Sequence, residues 1–324
     1  MANASVPHRG SAWLGLLSGI ALLAHTVFLG VFLYLMIAVK ILLPPLRERI
    51  ADPAIVAIAS LWIRGILWWS NHVAKVQWDI RGLERSSANH WYLITANHQS
   101  WVDIFALYQV YLGKAPLLKF FIKHELGYLP IVGQAWWALD FPFMRRYSKE
   151  YLRKHPEKVG QDLIETQRAC QKFSRTPTSV MNFLEGTRLT PAKHSQQQSP
   201  YRHLLKPKTG GLAFAIQSLG ERFDALTNVT IAYPDGTPSF WDLMCGRVGQ
   251  VIVAIEELPI PAHFSQGDYQ NDAALRAEMQ QWTSQIWKKK DAQIGRLLES
   301  TPHQGQRHKV VQQQSREQPE KVAN

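Results

Sequence analysis

An imidazole and a carboxylate stand five positions apart in Asn97-His98-Gln99-Ser100-Trp101-Val102-Asp103. An imidazole titrates near neutral pH, so His98 can take a proton from a hydroxyl when its other ring nitrogen is held as a donor. Asp103 can hold it. Farther along, Phe183-Leu184-Glu185-Gly186-Thr187-Arg188 ends an apolar run with an acid, a glycine, a hydroxyl and a guanidinium. Gly186 permits a backbone turn closed to other residues. The Thr187 and following amides can face an anion, and Arg188 offers a planar fork for phosphate. Each string has a plainer reading. Ser100-x-x-Asp103 fits a helix capping pattern, and on that string alone a cap is the better account of Asp103. An isolated Glu-Gly-Thr-Arg is most simply a surface ion pair in a loop.

The elements around the strings decide whether these groups can meet. Five residues along a straight helix turn two side chains about 140° apart, at about 100° per residue. His98 therefore belongs in the loop before a helix and Asp103 in the first turn. Short apolar runs predict strands over Val76–Ile80, Trp91–Ala96, Thr178–Phe183, Leu226–Ala232 and Gln250–Leu258. Helical stretches between them are expected over Trp101–Leu112, Lys158–Lys172, Gly211–Leu219 and Ala273–Leu298. Such alternation argues an α/β domain with a mixed, mostly parallel sheet flanked by helices. The aromatic stretch Leu117–Leu139 reads as two packed or membrane-facing helices around Gly127 and Pro130. Both strings then fall at strand ends, where open α/β sheets place ligand groups.

The thirty residues Gly10 to Val39 hold no Asp, Glu, Lys or Arg. About twenty apolar residues cross a bilayer as a helix, so this run suffices. It is too long for the apolar core of a signal peptide, and no small-residue cleavage site follows. A buried helix of a soluble core is the alternative. Lys40, Arg47, Arg49 and Arg64 outweigh Arg9 on the other flank, which places the C-terminal side in the cytoplasm. Ala54 to Val73, with Trp62, Trp68 and Trp69, is expected at the membrane interface, as the return arm of a hairpin, or as a core helix. Three parts result: membrane-anchoring helices over 1–75, a catalytic domain over 76–298 and a disordered polar tail over 299–324. Among 324 residues, 36 Lys plus Arg against 25 Asp plus Glu give a net charge of +11, which suits an anionic partner. The basic residues are scattered, without a nucleic-acid recognition motif. Cys170 and Cys245 have no metal-ligand spacing and read as thiols of a reducing compartment, and no metal is expected.

Taken together, the strings resemble the glycerolipid acyltransferase family, whose best-known member makes phosphatidate from lysophosphatidate. The family's Asn-His-x-x-x-x-Asp is matched by Asn97, His98 and Asp103. Its Phe-Pro-Glu-Gly-Thr-Arg is matched except that Leu184 replaces proline, which removes no reacting group. Phe143-Met144-Arg145-Arg146, after Trp136-Trp137, fits the family's Phe-x-x-Arg, with Arg146 aligned and Arg145 its rival. Val229-Thr230-Ile231-Ala232-Tyr233-Pro234 is similar to the fourth motif, a short strand ending at proline. Lys206-Pro207-Lys208-Thr209-Gly210-Gly211 stands where the family carries a basic, Gly-containing helix entry. The four motifs span residues 77 to 260, and their form is similar to the bacterial YihG-type and the lysocardiolipin-type branches.

The resemblance implies a membrane-bound O-acyltransferase with His98 as general base and Asp103 orienting it. Glu185, Gly186 and Arg188 with Arg146 would bind the glycerophosphate acceptor, and Asn97, Thr187 and Lys208 join them as substrate-binding candidates. It implies no cofactor: acyl-CoA or acyl carrier protein enters as the acyl-donor substrate, both anionic. The acceptor would be 1-acyl-sn-glycerol-3-phosphate or another lysophospholipid, with the acyl chain in an apolar groove near the bilayer. The expected location is a bacterial inner membrane, the catalytic domain facing the cytoplasm. A non-catalytic lipid-binding protein is the rival from another class.

Overall fold

The computed structural model describes residues 10–82, 90–144, 149–155 and 177–300. Arg145, Arg146, Cys170, the helix expected over Lys158–Lys172 and the tail from Thr301 lie outside these residues.

The chain opens with a helical hairpin. Ser11 caps α1 (Ala12–Leu42), its hydroxyl accepting the Leu14 amide at 3.1 Å. Pro44 and Pro45 end that helix, and α2 (Asp52–His72) runs back beside it. Three polar contacts pin the pair: Trp69 Nε1 donates to Ser18 Oγ at 3.1 Å, Trp62 Nε1 donates to Thr26 Oγ1 at 2.9 Å, and His25 Nε2 lies 3.2 Å from the Trp62 carbonyl. The outer face stays apolar and exposed, through Trp13, Leu16, Leu17, Ile20, Leu23, Val31 and Trp68.

The remaining elements build one α/β domain. Its strands are β1 (Gln77–Arg81), β2 (Trp91–Ala96), β3 (Leu118–Phe120), β4 (Ile122–Lys123), β5 (Phe143–Met144), β6 (Ser179–Phe183), β7 (Phe223–Ala232) and β8 (Gln250–Leu258). Six form one sheet in the order β1-β8-β7-β2-β6-β3, and β4 pairs with β5 apart from it. Among the described residues only β7 and β8 run antiparallel; every other pairing there is parallel. The helices are α3 (Val102–Tyr111), α4 (Val132–Ala138), α5 (Lys149–Lys154), α6 (Pro191–Gln197), α7 (Thr209–Leu219), α8 (Phe240–Met244), α9 (His263–Gln266) and α10 (Ala273–Glu299). On one face of the sheet Leu212, Ile216, Met279 and Trp287 of α7 and α10 cover Leu93, Val180 and Leu226. On the other, α2 and α3 cover Ile94, Met181 and Val251 through Ile66, Trp69, Ala106 and Val110. A sheet wrapped on both faces explains why its central strands read as unbroken apolar runs.

One expected element is corrected. Leu117–Leu139 does not form two helices: β3, β4 and a 3₁₀ turn at His124–Tyr128 precede the single helix α4. Lys119-Phe120-Phe121-Ile122 is aromatic and β-branched, so it runs extended rather than coiling, Leu118–Phe120 pairing with β6 and Ile122–Lys123 with β5.

The hairpin is no free appendage. Gly15 of α1 abuts Cys245 and Trp241, since a Cβ there would stand 2.6 Å from Cys245 Sγ. Nearer its other end, Tyr34 Oη donates to Gln134 Oε1 at 3.2 Å. Lys40, itself buried, donates to the Ala138 carbonyl at 2.7 Å and pairs with Asp52 at 2.8 Å. The 31-residue α1, about 46 Å long at 1.5 Å per residue, thus touches the domain near both ends.

Candidate active site

Parallel pairing brings the carboxyl ends of β2 and β6 level, Ala96 opposite Phe183, while on the other side of β2 strand β7 runs three residues past Val229, the partner of Ala96. The loops leaving these ends carry the two strings. Asn97 fixes the first, its amide donating to the Ile231 carbonyl and accepting the Ile231 N–H, both at 2.8 Å. A buried amide satisfied on both sides locks the chain just before His98.

His98 then lies in the loop and Asp103 in the first turn of α3, as the spacing requires. His98 Nδ1 is 2.8 Å from Asp103 Oδ2. That oxygen also accepts the amides of Gln99 at 2.6 Å and Ser100 at 2.9 Å. The other, Oδ1, accepts a short hydrogen bond from the Tyr233 phenol. Burial, and then Asp103 itself, push Tyr233 well above the ordinary tyrosine range, so it keeps its proton and donates. Asp103 thus caps the loop and faces the imidazole at once. The His98 ring stacks on Phe183 at 4.0 Å between centroids, and its side chain keeps 15% exposure. With Nδ1 engaged as a donor, Nε2 is the atom left to accept a proton.

Glu185 faces backbone groups. It is fully buried, its Oε1 accepting the His98 amide at 2.7 Å and its Oε2 the Leu205 amide at 2.9 Å. Burial pushes its carboxyl up to about 7, against the pull of those amides and of Lys290. Each oxygen accepts a backbone amide, so Glu185 ties the loop of the base to the loop that precedes α7. Asn97, equally buried, is likewise taken up by strand β7.

Gly186 sits at φ +67°, closing a turn in which its amide donates to the Phe183 carbonyl at 2.8 Å. Leu184, in place of proline, is buried in the core, and its carbonyl accepts the Lys208 amide at 2.7 Å. The turn points Arg188 back toward the first string: its guanidinium lies 4.9 Å from the Trp101 ring centroid, and the Leu189 amide donates to the His98 carbonyl at 2.8 Å. Lys193, unremarked in the sequence, donates to Thr187 Oγ1 at 2.6 Å and to the Arg188 carbonyl at 3.3 Å. Arg188, Lys193 and the exposed Lys208 give this edge its positive charge. The remaining anion-binding candidate, Arg146, lies outside the described residues.

An apolar cavity opens between the hairpin and the domain, lined by Gly30 and Leu33 of α1, Ala59 and Trp62 of α2, Tyr108 of α3 and Trp136 of α4. A run of aromatic rings links it to the base. Tyr108 meets Phe120 at 6.0 Å, Phe120 meets Phe183 at 6.1 Å, and Phe183 carries His98.

A family model described as Acyltransferase matches residues 77–237. The chain is 24% identical over 224 residues to lysocardiolipin acyltransferase 1 of Danio rerio, covering 65% of this chain and 53% of that protein. It is 24% identical over 253 residues to 1-acyl-sn-glycerol-3-phosphate acyltransferase gamma of Homo sapiens, covering 72% of this chain and 61% of that one. The chain thus spans less than two thirds of the length of these relatives. The crystal structure of the 1-acyl-sn-glycerophosphate (LPA) acyltransferase PlsC from Thermotoga maritima is 16% identical, with a TM-score of 0.46 over 85% of this chain and 97% of that one.

Proposed function

Since the chain belongs to the glycerolipid acyltransferase family, we propose that it moves a fatty acyl group from a thioester to the free hydroxyl of a lysophospholipid. The observation that carries this reading is the His98–Asp103 contact at 2.8 Å, with Nε2 of the ring left to face a substrate. His98 takes the hydroxyl proton as the hydroxyl oxygen attacks the thioester carbonyl, and Asp103 stabilises the imidazolium that forms. The tetrahedral intermediate then expels the thiolate of acyl-CoA or acyl carrier protein, which takes the proton back from His98. The acceptor's phosphate sits against Arg188, Thr187 and Lys193, with Arg146 and Lys208 as further cations. The acceptor is 1-acyl-sn-glycerol-3-phosphate, giving phosphatidate. The test is mass spectrometry of the lipids that the purified protein forms from a panel of lysolipids with each donor. Phosphatidate as the dominant product is expected. Preference for a lysolipid with a larger headgroup would move the reading to the lysocardiolipin-like acceptor class, and no acyl transfer to any lysolipid would overturn it.

The cavity beside the hairpin is the place for the acyl chain. Ala59→Phe should fill part of it and shift preference toward shorter acyl chains. Each excluded methylene is worth about 0.8 kcal/mol, roughly fourfold in kcat/KM. Rates across a ladder of acyl lengths check this, and an unchanged ladder would place the chain elsewhere.

The hairpin carries the protein on the membrane. Two helical segments, Ala12–Leu42 and Pro44–His72, are long and apolar enough to cross a bilayer. Yet α1 contacts the domain near both ends, at Cys245 and at Ala138. A spanning α1 would have to pull these contacts apart, so the hairpin lies along one face with its exposed leucines and tryptophans in the lipid. In place of the spanning arrangement expected from the charge flanks, Ala12→Cys and Glu48→Cys should both react with an impermeant thiol reagent from the cytoplasmic side. Labelling from opposite sides would restore the span. Membrane attachment should survive a high-salt wash, because apolar burial is not screened.

A further inference from the structure

Trp101 stands three residues after His98, where the loop of the base enters α3. Tryptophan is highly buried on average, and Trp69 and Trp287 turn their rings into the two cores beside the sheet. The Trp101 ring joins none of the apolar clusters among the described residues and keeps 45% exposure. What it holds is the guanidinium of Arg188, 4.9 Å from its centroid. That distance is inside the roughly 6 Å over which a ring face attracts a cation. The backbone of Arg188 is fixed as well. Its carbonyl accepts from the Lys193 ammonium at 3.3 Å, and the next amide, that of Leu189, donates to the His98 carbonyl at 2.8 Å. Main chain and guanidinium are thus both tied to the loop that carries the base.

A ring face holds a cation by its charge and takes no hydrogen bond from it. The five N–H donors of a guanidinium therefore stay open to a ligand. Among the described residues no carboxylate pairs with Arg188. A carboxylate in the place of Trp101 would hold the guanidinium firmly, but it would occupy the fork and cancel the charge that a phosphate needs. The indole does neither. An arginine already held in place also gives up less rotamer freedom when the phosphate arrives.

We propose that Trp101 is a positioning residue for the acceptor's phosphate, its ring holding the Arg188 guanidinium beside the loop of the base with the donors open. The inference rests on the reading of Arg188 as a phosphate ligand, so its test pairs kinetics with binding that needs no turnover. In the full-length protein, Trp101→Leu should raise the acceptor KM about fivefold, the loss expected of one exposed cation–ring contact. Both kcat and the donor KM should stay within twofold of the wild type. Trp101→Phe should raise the acceptor KM only about twofold, because phenylalanine keeps a ring face and leucine keeps only bulk. In an Arg188→Ala background neither substitution should add to the cost of Arg188→Ala alone. The dissociation constant of sn-glycerol 3-phosphate, measured by calorimetry without an acyl donor, should follow the same order. That order supports the proposal even if the chain transfers no acyl group, a result that would sink the acyltransferase reading alone. The ring lies outside the cores, so all the Trp101 variants should melt near the wild type. Equal effects of leucine and phenylalanine would make Trp101 a plain apolar contact. An undiminished cost in the Arg188→Ala background would separate it from Arg188, and no binding of sn-glycerol 3-phosphate to the wild type would remove the phosphate site. Any of these three results overturns the proposal.

Discussion

His98→Ala should lower kcat by about 10²–10⁴-fold, the range for loss of a positioned general base. The loss should fall on turnover, with KM for acceptor and donor close to the wild-type values. The fold gives no reason for collapse. The backbone bonds of His98, its amide to Glu185 and its carbonyl to the Leu189 amide, survive in alanine. What disappears is a ring stacked on Phe183 at the edge of the pocket. His98→Gln gives a stricter comparison, because its amide can still donate to Asp103 but has no basic nitrogen. Both variants should melt near the wild type while the proposed acyl transfer collapses. Turnover within tenfold of wild type in either would take the proton transfer away from His98.

The pairing of His98 with Asp103 was legible because helix geometry leaves few alternatives. Five residues can converge only when the first precedes the helix and the second opens it, and both halves of that condition can be read from the string. The N-terminus of α3, at Trp101, carries no side-chain cap; Asp103 instead ties the loop before it, Oδ2 taking two loop amides and the imidazole together. Strands with long apolar runs were readable for the same physical reason, since a sheet covered on both faces leaves no polar alternation to mislead. The bonds of Glu185 were not legible because its partners are amides. Backbone donors carry no sequence signal, and a glutamate before Gly-Thr-Arg looks like any acid at a ligand edge. Tyr233 lay inside a quoted string, but its bond to Asp103 joins the ends of two strands that only the fold makes neighbours. Lys290 shows the same limit at greater distance, a lysine in an amphipathic helix whose burial depends on β7 lying beneath it. For α1, composition reports only that the helix prefers lipid. Whether it crosses depends on contacts at Gly15 and Lys40 with residues more than ninety positions away.

Asp103→Asn should lower kcat by about 10²-fold, and its interest lies in what it preserves. The asparagine oxygen can occupy the place of Oδ2 and keep the amides of Gln99 and Ser100 together with the Nδ1–H of His98. Its NH₂ then faces Tyr233, whose hydroxyl can turn to accept. Loop and ring stay in place, but the negative charge that answers the imidazolium is gone. A hydrogen bond to a charged partner is worth about 1.5–3 kcal/mol, or roughly 10–150-fold in rate, and removal of the full charge from a buried site belongs toward the upper end. Tyr233→Phe separates the two contributions. It leaves the carboxylate charged but removes the donor at Oδ1, so its cost should be smaller, about threefold to tenfold in kcat. The order of effect, Asp103→Asn well above Tyr233→Phe, tests whether charge or geometry is what Asp103 supplies. If Asp103 served only as a helix cap, its asparagine variant would turn over at the wild-type rate, since asparagine caps about as well as aspartate. Kinetics at saturating substrate, measured beside melting temperatures, distinguish these outcomes. A full rate in Asp103→Asn would leave His98 to work without its carboxylate.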